Sequence, residues 1–160
     1  MLYRPRDKSG HLHEDALQAY LHCRLSDRLS SGILEPHPRI VFLDREPLAA
    51  SNMRNDLKIQ TASLDGKPLT LIIEVKWSDN AEVSTSLVEQ LGKGYLLENR
   101  LTHGIYLVGW CGRGASGLES LGTALEEQAR LYRQEQPKIS IVPVVLDLTW
   151  MPSTGTSAVP

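Results

Sequence analysis

Residues 69–77, with the sequence LTLIIEVKW, constrain the fold more than any other part of the chain. Their nearly continuous apolar run predicts a strand that is buried on both faces, which places it inside a sheet. Two charged residues, Glu74 and Lys76, interrupt this run near its end. Because a buried charge is costly unless it is paired or bound to a metal ion, we expect these two side chains to have a special role.

The patterns around this segment predict an α/β fold. Apolar residues at helical spacing indicate helices, and short β-branched or alternating runs indicate strands. The predicted helices are residues 11–30, 83–101 and 118–133, and the predicted strands are residues 39–43, 56–60, 69–77, 103–111 and 139–148. Pro143 is expected to interrupt the last strand. The order αβββαβαβ favours a three-layer sandwich, in which helices flank a central mixed sheet on both faces.

Length and composition are those of one domain. A chain of 160 residues with 41% hydrophobic and 22% charged side chains is typical of a single globular unit, which we place at residues 1–150. Residues 151–160 are small, polar and proline-containing, so a disordered tail is expected there. No apolar run approaches the ~20 residues that span a bilayer, and no secretion signal is recognisable, so we expect a cytoplasmic protein without membrane association.

Three residues on two predicted strands form a candidate site. Glu74 and Lys76 are two positions apart and therefore project from one face of their strand. Asp56 begins the preceding strand, and a hairpin through the Asp65-Gly66 turn would bring it opposite Glu74. Two opposed carboxylates repel, so a cation between them is the natural resolution, and oxygen ligands suit Mg²⁺ or Mn²⁺. Lys76 would position a water molecule or help to deprotonate it.

Two short sequences carry a resemblance to a known family. R-N-D-L at residues 54–57, followed by I-I-E-V-K at residues 72–76, resembles the PD-(D/E)XK nuclease superfamily, which has the restriction-endonuclease-like fold. The predicted order of helices and strands is similar to that of the family over about residues 11–148. One departure is Asn55, which stands before Asp56 where the family name has proline.

The resemblance implies a role for each residue of the candidate site. Asp56 and Glu74 would bind the divalent metal ion, and Val75 would add its backbone carbonyl as a further ligand. Lys76 would be catalytic. The reaction would be the metal-dependent hydrolysis of phosphodiester bonds.

The resemblance also implies site residues on two helices. Many members carry an acidic residue on the first helix that points at the metal, and Glu14 projects here in line with Leu17 and Leu21. The helix after the E-x-K sequence often adds a glutamine, which corresponds to Gln90 and would be catalytic. In the RecB-like group a tyrosine follows this glutamine four positions later, whereas Tyr95 falls one residue late.

An ordinary structural role is open for each of these residues taken alone. Glu74 and Lys76 could form a solvated ion pair on an edge strand. Asp56 could be a turn residue that caps backbone amides. Glu14 could be a first-turn acid that the helix dipole favours, and Gln90 could belong to a polar helix face.

The sequence as a whole predicts a Mg²⁺- or Mn²⁺-dependent nuclease that acts on nucleic acid, DNA rather than RNA. The net charge of −2 excludes a protein that coats nucleic acid through a basic surface, but a bound cation would supply positive charge locally. Residues 101–110 resemble the terminal nuclease-like domains of large multidomain bacterial proteins, which implies a nuclease module of a larger bacterial defence or DNA-processing system. Two alternatives stay open: a catalytically inactive binding or assembly module of the same fold, and a homodimeric junction resolvase.

Overall fold

A computed structural model describes residues 14–30, 41–45, 56–63, 65–113 and 117–149. Its elements in chain order are α1 (Glu14–Ser30), β1 (Phe42–Arg45), β2 (Leu57–Ala62), β3 (Pro68–Trp77), a π-helix (Leu87–Leu97), β4 (His103–Trp110), α2 (Leu118–Glu135) and β5 (Ser140–Asp147). The predicted tail at residues 151–160, the first residues of the predicted first helix and the start of the predicted first strand lie outside the described residues.

The strands form one open mixed sheet in the order β1-β2-β3-β4-β5. The first three strands are antiparallel neighbours, whereas β3, β4 and β5 run parallel to one another. β3 therefore lies in the middle, with an antiparallel partner on one side and a parallel partner on the other. The predicted α/β class, the mixed sheet and the order of elements are confirmed.

Both faces of the sheet carry an apolar core, because successive side chains of a strand point to opposite faces. One core joins α1 to the face of β3 that carries Ile73 and Val75, and the other joins the π-helix and α2 to the face that carries Ile72. The fully buried side chains that anchor these cores include Leu17, Leu57, Leu87, Leu91, Leu96 and Tyr106. Helices thus lie against both sides of the central strand.

The second helix is a π-helix, not the α-helix predicted at residues 83–101. Backbone hydrogen bonds at its C-terminal end span five residues, as from Glu98 N to Lys93 O and from Leu101 N to Leu96 O. Residues five positions apart therefore become neighbours, where an α-helix would pair residues four apart. The apolar spacing used for the prediction locates the helix but does not distinguish the two helix types.

Gly92 lets the π-helix approach α2 closely. A Cβ atom at this position would lie 2.8 Å from the ring of Tyr132, too close for an unadjusted contact. Gly109 on β4 has a similar role, since a Cβ there would lie 2.8 Å from Leu17 and from Trp77. These two glycines are required by packing and not by their backbone conformation.

Two strand predictions need correction at the sheet edges. β1 begins at Phe42 and extends to Arg45, later than the predicted residues 39–43. β5 runs without a break through Pro143, which lies opposite Tyr106 in the register with β4. A proline is tolerated here because β5 is an edge strand of the described sheet. None of the described helices is long and apolar enough to cross a membrane.

Candidate functional site

Glu74 and Lys76 are buried on the central strand. Their exposed fractions are 0% and 5%, and both side chains project from the face of β3 that carries Ile72. Lys76 Nζ lies 2.9 Å from Glu74 Oε1. The alternative of a solvated ion pair on an edge strand is therefore wrong, because β3 has a hydrogen-bonded neighbour on each side.

Asp56 lies next to Glu74 on the neighbouring strand. The register pairs Leu57 with Ile73, so the residues one position further along, Asp56 and Glu74, lie opposite each other. The backbone N–H of Val75 donates to Asp56 Oδ2 at 2.6 Å, and Gln18 Nε2 donates to Asp56 Oδ1 at 2.7 Å. Asp56 does cap a backbone amide, as a turn residue would. The amide belongs to the neighbouring strand, however, so the same bond fixes the carboxylate beside Glu74.

Glu14, the first residue of α1, reaches the site through Lys76. Its Oε2 accepts a hydrogen bond from Lys76 Nζ at 3.1 Å, and its Oε1 accepts one from Asn80 Nδ2 at 2.6 Å. Its side chain is 23% exposed, compared with 6% for that of Lys76. Glu14 also lies in the first turn of α1, where the helix dipole favours an acid, as the structural alternative from the sequence states.

Gln90 has its hydrogen-bond partner on its own helix. Its Nε2 donates to the Tyr95 hydroxyl at 2.9 Å, a contact that the five-residue turn of the π-helix makes possible. The Nε2 of Gln90 is thus directed to Tyr95 and not to the carboxylates. Burial, and then the charge of Glu74, raise the pKa of Tyr95 to about 12. Lys93 pairs with Glu89 at 2.7 Å on the exposed face of the helix.

Two residues of the site were not found from the sequence. Gln18 binds Asp56 and is only 5% exposed, and Asn80 binds Glu14 from the turn after β3. A signal for Gln18 existed, since it lies one helical turn after Glu14 and next to the buried Leu17. No pattern in the sequence distinguishes Asn80 from an ordinary turn residue.

The electrostatics of the cluster are dominated by burial. Desolvation, and then the negative charge of Asp56, raise the pKa of Glu74 to about 8. Desolvation acts to lower the pKa of Lys76, but the nearby carboxylates of Glu74 and Glu14 outweigh it and hold that pKa above its usual value. The chain alone therefore keeps Lys76 as an ammonium. An ammonium donates hydrogen bonds, which suits the predicted role of Lys76 in positioning a water molecule.

Several buried acceptor atoms in the cluster lack a hydrogen-bond donor among the described residues. They are both carboxylate oxygens of Glu74 and the amide oxygen of Gln18. Lys76 Nζ approaches Glu74 at the distance of an ion pair but outside the angles of a hydrogen bond. An unsatisfied buried acceptor costs about 1–3 kcal/mol, and such groups in native proteins commonly mark a site for water or an ion.

The carboxylate oxygens of the cluster are ligands of the kind that a hydrated hard cation prefers. Within the described ranges, no group of three or more His, Cys, Asp or Glu side chains is arranged to hold a metal ion. Asp56 and Glu74 offer two carboxylates from adjacent strands, and Glu14 is engaged with Lys76 and Asn80. Mg²⁺ is commonly held by one or two carboxylates and keeps several water molecules, whereas structural zinc is enclosed by four protein ligands. The set therefore suits Mg²⁺ or Mn²⁺ better than zinc.

Comparison with known proteins identifies no relative of this chain. No protein-family model matches it, no curated protein matches its sequence, and no solved structure matches its fold. A function for the chain must therefore be inferred from the arrangement of Asp56, Glu74 and Lys76 themselves.

Proposed function

We propose that the chain is a nuclease that uses Mg²⁺ or Mn²⁺ to hydrolyse phosphodiester bonds, with DNA as its substrate. The proposal rests on one observation about Glu74. Its two carboxylate oxygens are fully buried, and neither accepts a hydrogen bond from the described part of the chain. Asp56 lies beside it and Lys76 next to it on the same strand face.

The charges of the cluster support a divalent cation as the missing partner. When ionised, Asp56, Glu74 and Glu14 contribute three negative charges, and Lys76 contributes one positive charge. Two negative charges are then left in a region that water hardly reaches, where such an excess is costly. A divalent cation would balance them, whereas the chain alone balances part of them by raising the pKa of Glu74.

Each residue has a chemical role in this proposal. Asp56 and Glu74 would hold the cation, and the hydrogen bonds from Val75 N–H and Gln18 fix the direction of the Asp56 carboxylate. A bound Mg²⁺ supplies Lewis-acid polarisation of a phosphate oxygen and acidifies its water. Lys76 donates hydrogen bonds from one side of the site, where it would orient the attacking water or a phosphate oxygen.

The restriction-endonuclease-like fold is part of the same proposal. The order of elements, the mixed five-stranded sheet and the acid-x-lysine sequence on its central strand are the features that support it. Gln90 would act through Tyr95, to which it is bound, and not by direct contact with the scissile phosphate.

A cleavage assay tests the function. The purified chain with Mg²⁺ or Mn²⁺ is incubated with linear and supercoiled duplex DNA, single-stranded DNA, a four-way DNA junction and RNA. We expect cleavage of DNA that chelation of the metal abolishes. Glu74→Gln and Lys76→Ala should lower the rate by roughly 100-fold or more, since each removes a charge at the reacting phosphate. Lys93→Ala is the matched control, because Lys93 forms an exposed ion pair elsewhere. Absence of cleavage of every substrate, or full activity of Lys76→Ala, would contradict the proposal.

A second candidate is a catalytically inactive assembly module of the same fold. It is favoured by the contacts of Lys76, which already bridges Glu74 and Glu14 at 2.9 Å and 3.1 Å and so replaces part of what a cation would do. Calorimetric titration separates the two candidates. No heat of Mg²⁺ or Mn²⁺ binding, together with a defined oligomer in solution, would support the inactive module and contradict the nuclease.

A further inference from the structure

Gln18 is a polar residue on the buried side of α1. It is 5% exposed, and its neighbour Leu17 is fully buried in the core between α1 and the sheet. Its Nε2 donates to Asp56 Oδ1 at 2.7 Å. Because an ionised carboxylate only accepts hydrogen bonds, this contact fixes which end of the Gln18 amide faces Asp56.

The other end of the same amide has no hydrogen-bond partner among the described residues. Gln18 Oε1 is buried and receives no hydrogen bond from the described residues. The same is true of both carboxylate oxygens of Glu74, which lies opposite Asp56 on the neighbouring strand. A glutamine that only served to anchor Asp56 would leave a costly unsatisfied oxygen beside it. Because Gln18 is bound to Asp56, beside the two unsatisfied oxygens of Glu74, its oxygen is placed to accept a hydrogen bond from a ligand of this site.

We propose that Gln18 is a positioning residue of the cation site, which holds Asp56 through its N–H group and accepts a hydrogen bond from a cation-bound water through its Oε1. This inference rests on the proposed function, since it requires a hydrated divalent cation at Asp56 and Glu74. Water bound to such a cation is a strong hydrogen-bond donor, which is the partner that an isolated amide oxygen lacks.

The helix that carries Gln18 spans the whole cluster. Glu14 and Gln18 are four residues apart and so lie on one side of α1. Glu14 reaches Lys76, and Gln18 reaches Asp56. The core contacts of Leu17 hold this helix against the sheet, so α1 is part of the site and not only a cover for the sheet.

Glutamine has both groups that this position requires. Asp56 needs a donor, and a water molecule on the cation needs an acceptor, and one amide provides both. Methionine has nearly the same size and neither group, whereas glutamate keeps the acceptor and adds a negative charge. These two replacements should therefore change cation binding in opposite directions.

The test is a Mn²⁺ titration of the full chain, followed by electron paramagnetic resonance and by calorimetry. We expect Gln18→Met to weaken Mn²⁺ binding by about 10- to 100-fold, as is usual when a group that orients a metal ligand is lost. We expect Gln18→Glu to bind Mn²⁺ more tightly than the wild type. Gln128→Met is the matched control, because Gln128 on α2 also donates one hydrogen bond, to Ser84 O, and also has a buried oxygen without a donor. It should bind Mn²⁺ as the wild type does.

The outcomes separate this inference from the proposed function. A wild type that binds no Mn²⁺ overturns both. A wild type that binds Mn²⁺, with Gln18→Met within twofold of it, overturns the role of Gln18 alone. If Gln18→Met does not fold in a urea titration, Gln18→Asn decides, because asparagine keeps the amide on a side chain one methylene shorter and so withdraws both of its groups from Asp56 and the site. A loss of Mn²⁺ affinity of tenfold or more then supports the role of Gln18, and an affinity within twofold of the wild type overturns it.

Discussion

The Lys76 ammonium lies 2.9 Å from the Glu74 carboxylate, and the two residues stand on the same face of the strand at the centre of the sheet. The ammonium also lies 3.1 Å from Glu14, so it is placed between two acids. Such an arrangement offsets part of the negative charge of the cluster without a bound ion. Lysine and a divalent cation would therefore compete for the same carboxylates while cooperating in the reaction.

Replacing the lysine separates these two effects. We expect Lys76→Met to abolish DNA cleavage but to leave Mn²⁺ affinity equal to or higher than that of the wild type, because three acids then face the ion without an internal positive charge. Cleavage rates and calorimetric titration measure the two properties on the same sample. Lys93→Met serves as the control from the exposed face of the π-helix. A tenfold loss of Mn²⁺ affinity in Lys76→Met would show that the lysine is needed to build the site.

Cation binding should depend on pH through Glu74. With a pKa raised to about 8, Glu74 must lose a proton before it can bind a metal ion. We therefore expect Mn²⁺ affinity to rise by up to about tenfold per pH unit from pH 6 and to level off above about pH 8. Glu74→Gln should bind Mn²⁺ weakly at every pH. A wild-type affinity that is flat across this range would mean that Glu74 does not release a proton on binding.

The stability of the metal-free chain should show the opposite trend. The native state keeps the proton of Glu74 up to about pH 8, whereas the unfolded chain releases it near the ordinary glutamate pKa of 4.5. Stability from this group is thus fully present below pH 4.5 and is lost as the pH rises to about 8. The Tm of the wild type should fall relative to that of Glu74→Gln by roughly 10–20 °C over this window. If the Tm values of the wild type and Glu74→Gln, measured in EDTA, change in parallel with pH, this would argue against a proton on buried Glu74.

The contact between the π-helix and α2 can be tested with glycine variants. Gly92→Ala should destabilise the fold by roughly 1–3 kcal/mol, because the added methyl group would lie 2.8 Å from the Tyr132 ring. Gly122→Ala on α2 is the control, since nothing lies within 4 Å of the added atom. It should be neutral or stabilise the helix by up to about 1 kcal/mol. Urea denaturation measures both, and equal effects of the two variants would rule out the close approach.

Much of the fold follows from local patterns in the sequence. The run at residues 69–77 could be recognised as a central strand because apolar side chains occupy both of its faces. The five-residue turn of the π-helix could not be recognised from the sequence, since the spacing of Leu87 and Leu91 is compatible with an α-helix as well. The hydrogen bond between Gln90 and Tyr95 depends on this turn, because it makes residues five positions apart neighbours.

Local patterns in the sequence likewise indicate only some residues of the candidate site. Asp56, Glu74 and Lys76 are polar residues in or beside apolar strands, which makes them visible in the sequence. Gln18 and Asn80 are ordinary polar residues of a helix and a turn, and their role depends on contacts between residues 38 and 66 positions apart. Such long-range contacts are set by the packing of α1 against the sheet, which local periodicity does not describe.

Pro143 has a consequence for how copies of this protein can associate. It interrupts the row of backbone donors on β5, the outermost described strand on the parallel side of the sheet. A strand from another molecule that approached this border would meet a missing N–H group midway along it. Addition of further strands to the sheet, and hence aggregation, is therefore discouraged on that border.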